Sequence, residues 1–180
     1  MFYSVYLVKM YFLKKQNIQG TILGRGKKSK GEKVFEVVLR LVTFLGVPVQ
    51  VVSVIGVNLW SLSVSFVMQC VGLFLMSFGV GVFVLAVVAM RSNWRAGYSY
   101  EQDTELVTRG VYRFSRNPAF VGFNLIYIGV MVVFPNVVSI LFAFTVVCLF
   151  HFQILGEEKF LADKFGKVYL EYKSKVRRYI

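Results

Sequence analysis

The chain has 180 residues, 57% of them hydrophobic, with a mean hydropathy of +0.63 and a formal net charge of +12. Soluble domains run nearer ~45–50% apolar, and a chain of this length has no interior large enough to hide the surplus. A water-soluble globular domain is therefore excluded in favour of an integral membrane protein.

The placement of charge says more than its total. Residues 41–90 and 117–156 carry no Asp, Glu, Lys or Arg. The basic residues collect before the first of these stretches (Lys14, Lys15, Arg25, Lys27, Lys28, Lys30, Lys33), between them (Arg91, Arg95, Arg109, Arg113, Arg116) and after the second (Lys159 to Arg178). Basic loops stay on the cytoplasmic side of a membrane, so all three clusters are expected there. For the first cluster, orientation and attraction to lipid headgroups are the main expectation. Because these groups flank apolar spans, no nucleic-acid partner is expected. Cys70 and Cys148 lie inside apolar stretches without metal-type spacing, and His151 stands alone. Neither a metal site nor a disulfide framework is indicated.

In chain order, residues 1–13 are apolar and aromatic but interrupted by Lys9. At ~1.5 Å per residue they are too short to cross a ~30 Å hydrocarbon core, and a partial or shallow first helix is expected. Residues 14–33 form a basic, Gly-rich loop. Its Gly24-Arg25-Gly26-Lys27-Lys28 has neither the spacing nor the preceding strand of a phosphate-binding loop. A span is expected over 34–59, with Glu36 and Arg40 paired one turn apart and a kink at Pro48. The uncharged turn 58–61, with Trp60 as an interface anchor, suits the far membrane face. A second span is expected over 63–90, where Ser77-x-x-x-Gly81 and Gly79-x-Gly81 read as close-packing positions. Residues 91–118 mix both charges, aromatics and glycines, including Glu101, Asp103 and Glu105, as a folded lid over a ligand would. Residues 119–155 form two apolar halves around Pro135-Asn136, a helical hairpin that returns the chain to the face it left. The tail, 156–180, repeats apolar residues at helical intervals. Asp163–Lys167 and Glu171–Lys175 pair on its other side, and Gly166 interrupts it. The fold expected is all-α: a membrane helical bundle of about four to five embedded helices, the C-terminal hairpin among them, with an amphipathic tail on the cytoplasmic surface.

Two polar motifs bracket the hairpin and should meet at one face. In the first, Pro118 is suited to open a helix. Asn117 then stands at its N-terminus, beside backbone N–H groups that favour an anion such as a carboxylate, and Arg116 can add a charge-assisted bond. In the second, Glu157 and Glu158 end the hairpin, where one carboxylate can hold a cation or act as a base.

The runs Leu106-Val107-Thr108-Arg109-Gly110-Val111-Tyr112 and Arg116-Asn117-Pro118-Ala119-Phe120-Val121-Gly122 resemble a pattern of the isoprenylcysteine carboxyl methyltransferases. That family shares this C-terminal region with phospholipid methyltransferases. Glu157-Glu158-x-x-Leu161 and Phe165-Gly166-x-x-Tyr169-x-x-Tyr172 are similar to its ending, so the likeness spans about residues 93–180. The resemblance implies S-adenosylmethionine as methyl donor, bound by Glu105, Leu106, Val107, Tyr112, Asn117, Pro118, Ala119, Phe120 and Glu157. It also implies a lipophilic acceptor reached from the bilayer. Arg116, Asn117 and Glu158 are the catalytic candidates, Glu158 as base for an amine or thiol nucleophile. Two departures matter. Asn117 replaces the histidine of many members and cannot titrate. By spacing from the paired glutamates, Gln153 falls where the eukaryotic enzymes carry a substrate-side arginine. Two alternatives stay open: an NADPH-dependent membrane reductase of the sterol-reductase type, and a non-enzymatic packing or partner protein. The basic loop and uncharged spans suit the inner membrane of a bacterium, with the site on its cytoplasmic face.

Overall fold

A computed structural model of the chain describes residues 2–25, 28–55, 63–98 and 105–180. The turn containing Trp60, and Glu101 and Asp103 of the loop, lie outside the described residues. Six α-helices follow in order: α1 (Phe2–Lys15), α2 (Lys30–Ile55), α3 (Phe66–Met90), α4 (Pro118–Val133), α5 (Val137–Phe165) and α6 (Lys167–Lys175). Short 3-10 turns stand at Arg91–Asn93 and Gly110–Arg113. Among the described residues there is no strand, only an isolated bridge between Thr21 and Ala96. The protein is an all-α membrane bundle.

Local chemistry sets the helix ends. At the close of α1, Asn17 takes a left-handed φ of 57°, its N–H reaching the Lys14 carbonyl and that of Ile18 reaching Leu13. This is a Schellman turn, with asparagine where glycine is commoner. Entry into α2 is a capping box: Glu32 Oε2 accepts from the Ser29 N–H at 2.8 Å, and Ser29 Oγ accepts from the Glu32 N–H at 3.2 Å. Asn136 and Ser139 form a second box at the start of α5, both buried. The tight break of the hairpin is thus satisfied internally, as a turn next to lipid must be.

Helices α2, α3 and α5 are long and apolar enough to cross a membrane, and α4 is a shorter apolar helix. Their outward faces carry large apolar side chains, among them Phe44 at 74% exposure and Phe144 at 70%. Such exposure is tolerable only against lipid. The helix α2 runs unbroken through Pro48. Membrane helices accept proline when neighbouring groups re-satisfy the freed carbonyl. The hairpin's second arm does not end at residue 155 but continues to Phe165. At ~1.5 Å rise, its 29 residues extend ~43 Å, against a hydrocarbon core of ~30 Å. The last turns, with Glu157 and Glu158, therefore project beyond the apolar layer. Gly166, at φ 53°, separates α5 from α6, so Asp163 and Lys167 fall on different helices.

The tightest seam lies between α3 and α4, and of the expected positions Gly79 makes it while Ser77 and Gly81 do not. A Cβ on Gly79 would stand 2.7 Å from the Gly122 carbonyl oxygen, and one on Gly129 would stand 2.7 Å from that of Gly72. Gly81, by contrast, has open space around it, and Ser77 is exposed. The working repeat is two glycines seven residues apart on each helix, two turns, so that backbone meets backbone twice. Around the seam two aromatic-rich cores form. Leu39, Tyr127, Val146 and Phe150 pack between α2, α4 and α5, while Leu13, Phe83, Val87 and Trp94 tie α1 to α3 and the loop after it.

The Gly79→Leu and Gly122→Val variants should lose the folded bundle, seen as an early thermal transition and poor recovery from detergent. Gly81→Leu should unfold within a few degrees of the parent.

Candidate functional site

The charged ends of the helices meet at one end of the bundle. Backbone bonds join residues 20–22 to Ala96, and the tail folds back onto the segment before α4. That last junction is built on Glu158, whose carboxylate is buried. Arg116 Nη2 donates to Oε1 at 2.9 Å, while Arg178 reaches both oxygens, through Nε and Nη2, at 3.0 Å each. Lys173 Nζ stands 3.8 Å from Oε2. Arg116 also donates to the carbonyls of Lys173 and Val176. Nearby, the Asn117 amide reaches the Arg178 carbonyl at 3.2 Å, and the Tyr172 hydroxyl the Tyr112 carbonyl at 2.6 Å. Hydrogen bonds donated to Glu158 hold the Arg178 guanidinium above its ordinary pKa.

Above this junction opens a cavity of about 690 Å³, within the ordinary range for small-molecule sites. The segment before α4 and its first turn contribute Tyr112, Arg116, Asn117, Ala119 and Phe120; α5 contributes Phe150, Gln153 and Glu157. The loop after α3 adds Asn93, Arg95, Tyr98 and Glu105, and α2 adds Leu39, Arg40 and Thr43. Polar groups cluster at one end, while Phe44, Val47, Phe123 and Tyr127 continue the wall among apolar surfaces. One hollow thus offers both a charged and a lipid-like environment.

Asn117 is the N-cap of α4, with Pro118 in its first turn, and its side chain makes no capping bond. The amide turns to the tail instead, so no side chain closes this helix end, and Ala119 and Phe120 line the cavity. Arg95 lines it too, and its buried Nε has no hydrogen-bond partner among the described residues. Burial lowers the Arg95 pKa from its usual value, since desolvation disfavours the charged form. Tyr112 is buried, and its pKa is raised first by desolvation and then by the negative charge of Glu157. It stays a neutral phenol.

Behind the Glu157 wall lies a buried network that sequence patterns did not reveal. Glu36 is 1% exposed and pairs with Lys28 at 2.6 Å, not with Arg40. The Gly24 N–H donates to the same carboxylate at 2.8 Å. Gln153 Nε2 spans Glu36, at 3.4 Å, and Glu157, at 3.1 Å. The Lys28 ammonium stands 4.0 Å from the centre of the Tyr98 ring, a cation–π distance. Lys28 is thus withdrawn from the lipid-facing role expected of the first cluster. The one legible signal was Glu36 itself, an acid at the mouth of an apolar helix in a strongly basic chain.

The structure therefore brings Glu105, Tyr112, Arg116, Asn117, Ala119, Phe120, Gln153 and Glu157 around one cavity. Leu106, Val107 and Pro118 do not line it, Pro118 being buried within the bundle. Glu158 does not line it either, its oxygens being occupied by Arg116 and Arg178. Among the described residues no group of His, Cys, Asp or Glu side chains is arranged to hold a metal ion.

Fold and site together define a membrane-embedded helical protein with a largely apolar cavity that also carries charged and polar side chains. A family model described as phospholipid methyltransferase matches residues 67–168. The chain belongs to that family. It is also similar to protein-S-isoprenylcysteine O-methyltransferase A of Arabidopsis thaliana, 43% identical over 79 residues that make up 43% of this chain and 40% of the relative. A probable protein-S-isoprenylcysteine O-methyltransferase of Oryza sativa subsp. indica is 37% identical over 110 residues, 59% of this chain and 57% of the relative. The rat protein-S-isoprenylcysteine O-methyltransferase is 34% identical over 112 residues, 61% and 39% of the two chains. This chain thus spans between about two fifths and three fifths of the length of these three relatives.

Removing one partner of a buried ion pair leaves an uncompensated charge, which costs about 3–5 kcal/mol in soluble proteins. Lys28→Met should lower the unfolding temperature strongly, and adding Glu36→Gln should restore part of it. Thermal melts of the two variants in detergent would measure this, with additive losses as the contrary result.

Proposed function

We propose that the chain transfers a methyl group from S-adenosylmethionine to a lipophilic acceptor at the cytoplasmic face of the membrane. One observation carries the proposal. A single cavity is walled by residues of both polar motifs, from Tyr112 to Phe120 and at Glu157, and it continues between apolar side chains. Membership of the phospholipid methyltransferase family and the methyltransferase relatives support methyl transfer over hydride transfer.

The residues present fit the donor. Arg95 Nε, without a hydrogen-bond partner among the described residues, and the uncapped start of α4 suit its carboxylate, and Glu105 and Glu157 suit its ammonium. Tyr112 and Phe120 offer ring faces to a sulfonium. When bound, S-adenosylmethionine supplies an electrophilic methyl group carried on that sulfonium. The chain's own contribution is alignment and exclusion of water, the latter through Leu39, Phe123, Tyr127 and Phe150. Arg116 and Asn117 act as positioning residues, holding the start of α4 against the tail. With its oxygens in ion pairs, Glu158 does the same work and is not carried forward as a base. A carboxylate nucleophile needs none. Gln153 is neutral and already donates to Glu36 and Glu157, so it offers no charge to an anionic acceptor. The three basic clusters support a mouth on the cytoplasmic side; the bacterial inner membrane is proposed on the basic loop and uncharged spans alone.

Calorimetric titration of the detergent-solubilised protein should give saturable binding of S-adenosylmethionine below ~1 mM, in the usual range for enzyme substrates, and none of NADPH. Absence of donor binding at that concentration would sink the proposal. Glu157→Ala should weaken donor binding about tenfold or more, the scale of one lost charge-assisted contact, while the thermal transition moves little. Lipid extracts incubated with methyl-labelled donor, then separated, would identify the acceptor.

A further inference from the structure

A second hollow, of about 540 Å³, lies outside the large cavity, between the end of α1, the loop after it and α2. Three cations from three separate segments line it: Lys14 from the last turn of α1, Arg25 from the loop and Arg40 from α2. Asn17, Gln19 and Thr21 add polar side chains, and none of the described residues lining it is acidic. The Schellman turn at Asn17 fixes the wall that carries Lys14.

Arg40 is the unusual member. Lying ten residues into α2, ~15 Å along its axis, it is the last charged residue before fifty uncharged ones. A charge so far into an apolar helix marks a functional site by default. The acid one turn away, Glu36, is taken by Lys28 and by the Gly24 N–H, so it does not neutralise Arg40. Arg40 also lines the large cavity, which makes it the wall common to both hollows. Apolar surface adjoins the cations directly, through Met10, Tyr11 and Ile18.

We propose that Lys14, Arg25 and Arg40 form a binding site for the phosphate headgroup of an anionic membrane lipid, with its acyl chains lying along α1 and α2. Arginine forks match phosphate oxygens in a bidentate way, and basic pockets between membrane helices hold such headgroups. This site is distinct from diffuse attraction by the whole basic surface, and it stands without the methyl-transfer proposal, because lipid binding is measured with no methyl donor present.

The full chain in dodecylmaltoside would be titrated calorimetrically with dihexanoyl-phosphatidic acid, with dihexanoyl-phosphatidylcholine and with inorganic phosphate. Saturable binding of phosphatidic acid is expected, with the zwitterionic lipid and free phosphate each at least about tenfold weaker, since one lacks the net charge and the other the chains. Arg40→Gln should weaken phosphatidic acid binding about tenfold, as loss of a charge-assisted pair does. Arg25→Gln, on the loop, should weaken it several-fold and gives an independent reading where Arg40→Gln fails to fold. Lys175→Gln, in the C-terminal cluster, should leave it unchanged. Equal affinity for phosphatidylcholine, or an equal loss in Lys175→Gln, overturns the proposal. Phosphate binding as tightly as phosphatidic acid also overturns it, by assigning the site to a soluble phosphoester.

Discussion

Much of this molecule hangs on one carboxylate. Glu158 stands on the part of α5 that rises beyond the apolar layer, and it gathers Arg116 from before α4 and Arg178 from the tail. Burying an acid and the Arg116 guanidinium, with Arg178 half-buried beside them, costs solvation, recovered only when geometry and further hydrogen bonds are good. Here they are. Arg116 also donates to two tail carbonyls, and the Asn117 and Ser115 side chains both donate to the Arg178 carbonyl. The clamp holds the start of α4 and the end of α5 in register, although some forty residues of membrane hairpin separate them. Without that register, the cavity would lack a defined wall.

The deeper pair, Lys28 with Glu36, does for the N-terminal half what Glu158 does for the C-terminal half. It ties the loop before α2 to Tyr98 through the ring face and to α5 through Gln153. By its spacing from the paired glutamates Gln153 was expected where the resemblance implies an arginine, and its surroundings suit an amide. Gln153 sits between two carboxylates, one already matched by Lys28, and an amide N–H bridges them without adding a second buried cation. The amide is therefore part of a different local charge arrangement rather than a bare loss.

The architecture was largely legible in the sequence because membranes enforce simple rules. Uncharged runs of helix length must be embedded, basic segments share a side, and Pro135-Asn136 between apolar arms must turn. The two polar motifs were visible for the same reason, since charge next to a span has few uses. What stayed hidden depends on three-dimensional partners. Glu36 had an i,i+4 neighbour in Arg40, yet it pairs with Lys28 from a loop, because the loop folds over the helix start. Gly79 was seen, but its contact with Gly122, and that of Gly72 with Gly129, have no signature in either segment alone. Glu158 looked as available as Glu157 beside it. Successive residues on a helix differ by ~100°, and that rotation turns one carboxylate to the cavity and the other to the arginines.

The glycine contacts between α3 and α4 carry a mechanical consequence. Two helices whose backbones touch at Gly72 and Gly129, and again at Gly79 and Gly122, have no layer of side chains between them to deform. Sliding by even one residue along the axis, or turning about it, drives Cβ atoms into carbonyl oxygens. The pair must travel as a single rigid plank. The remaining walls of the large cavity, α1 with its loop, the inner face of α2 and α5, meet that plank through bulky, deformable aromatic and aliphatic side chains instead. Any passage wide enough for a lipid has to open on that softer side, where Arg40 already stands.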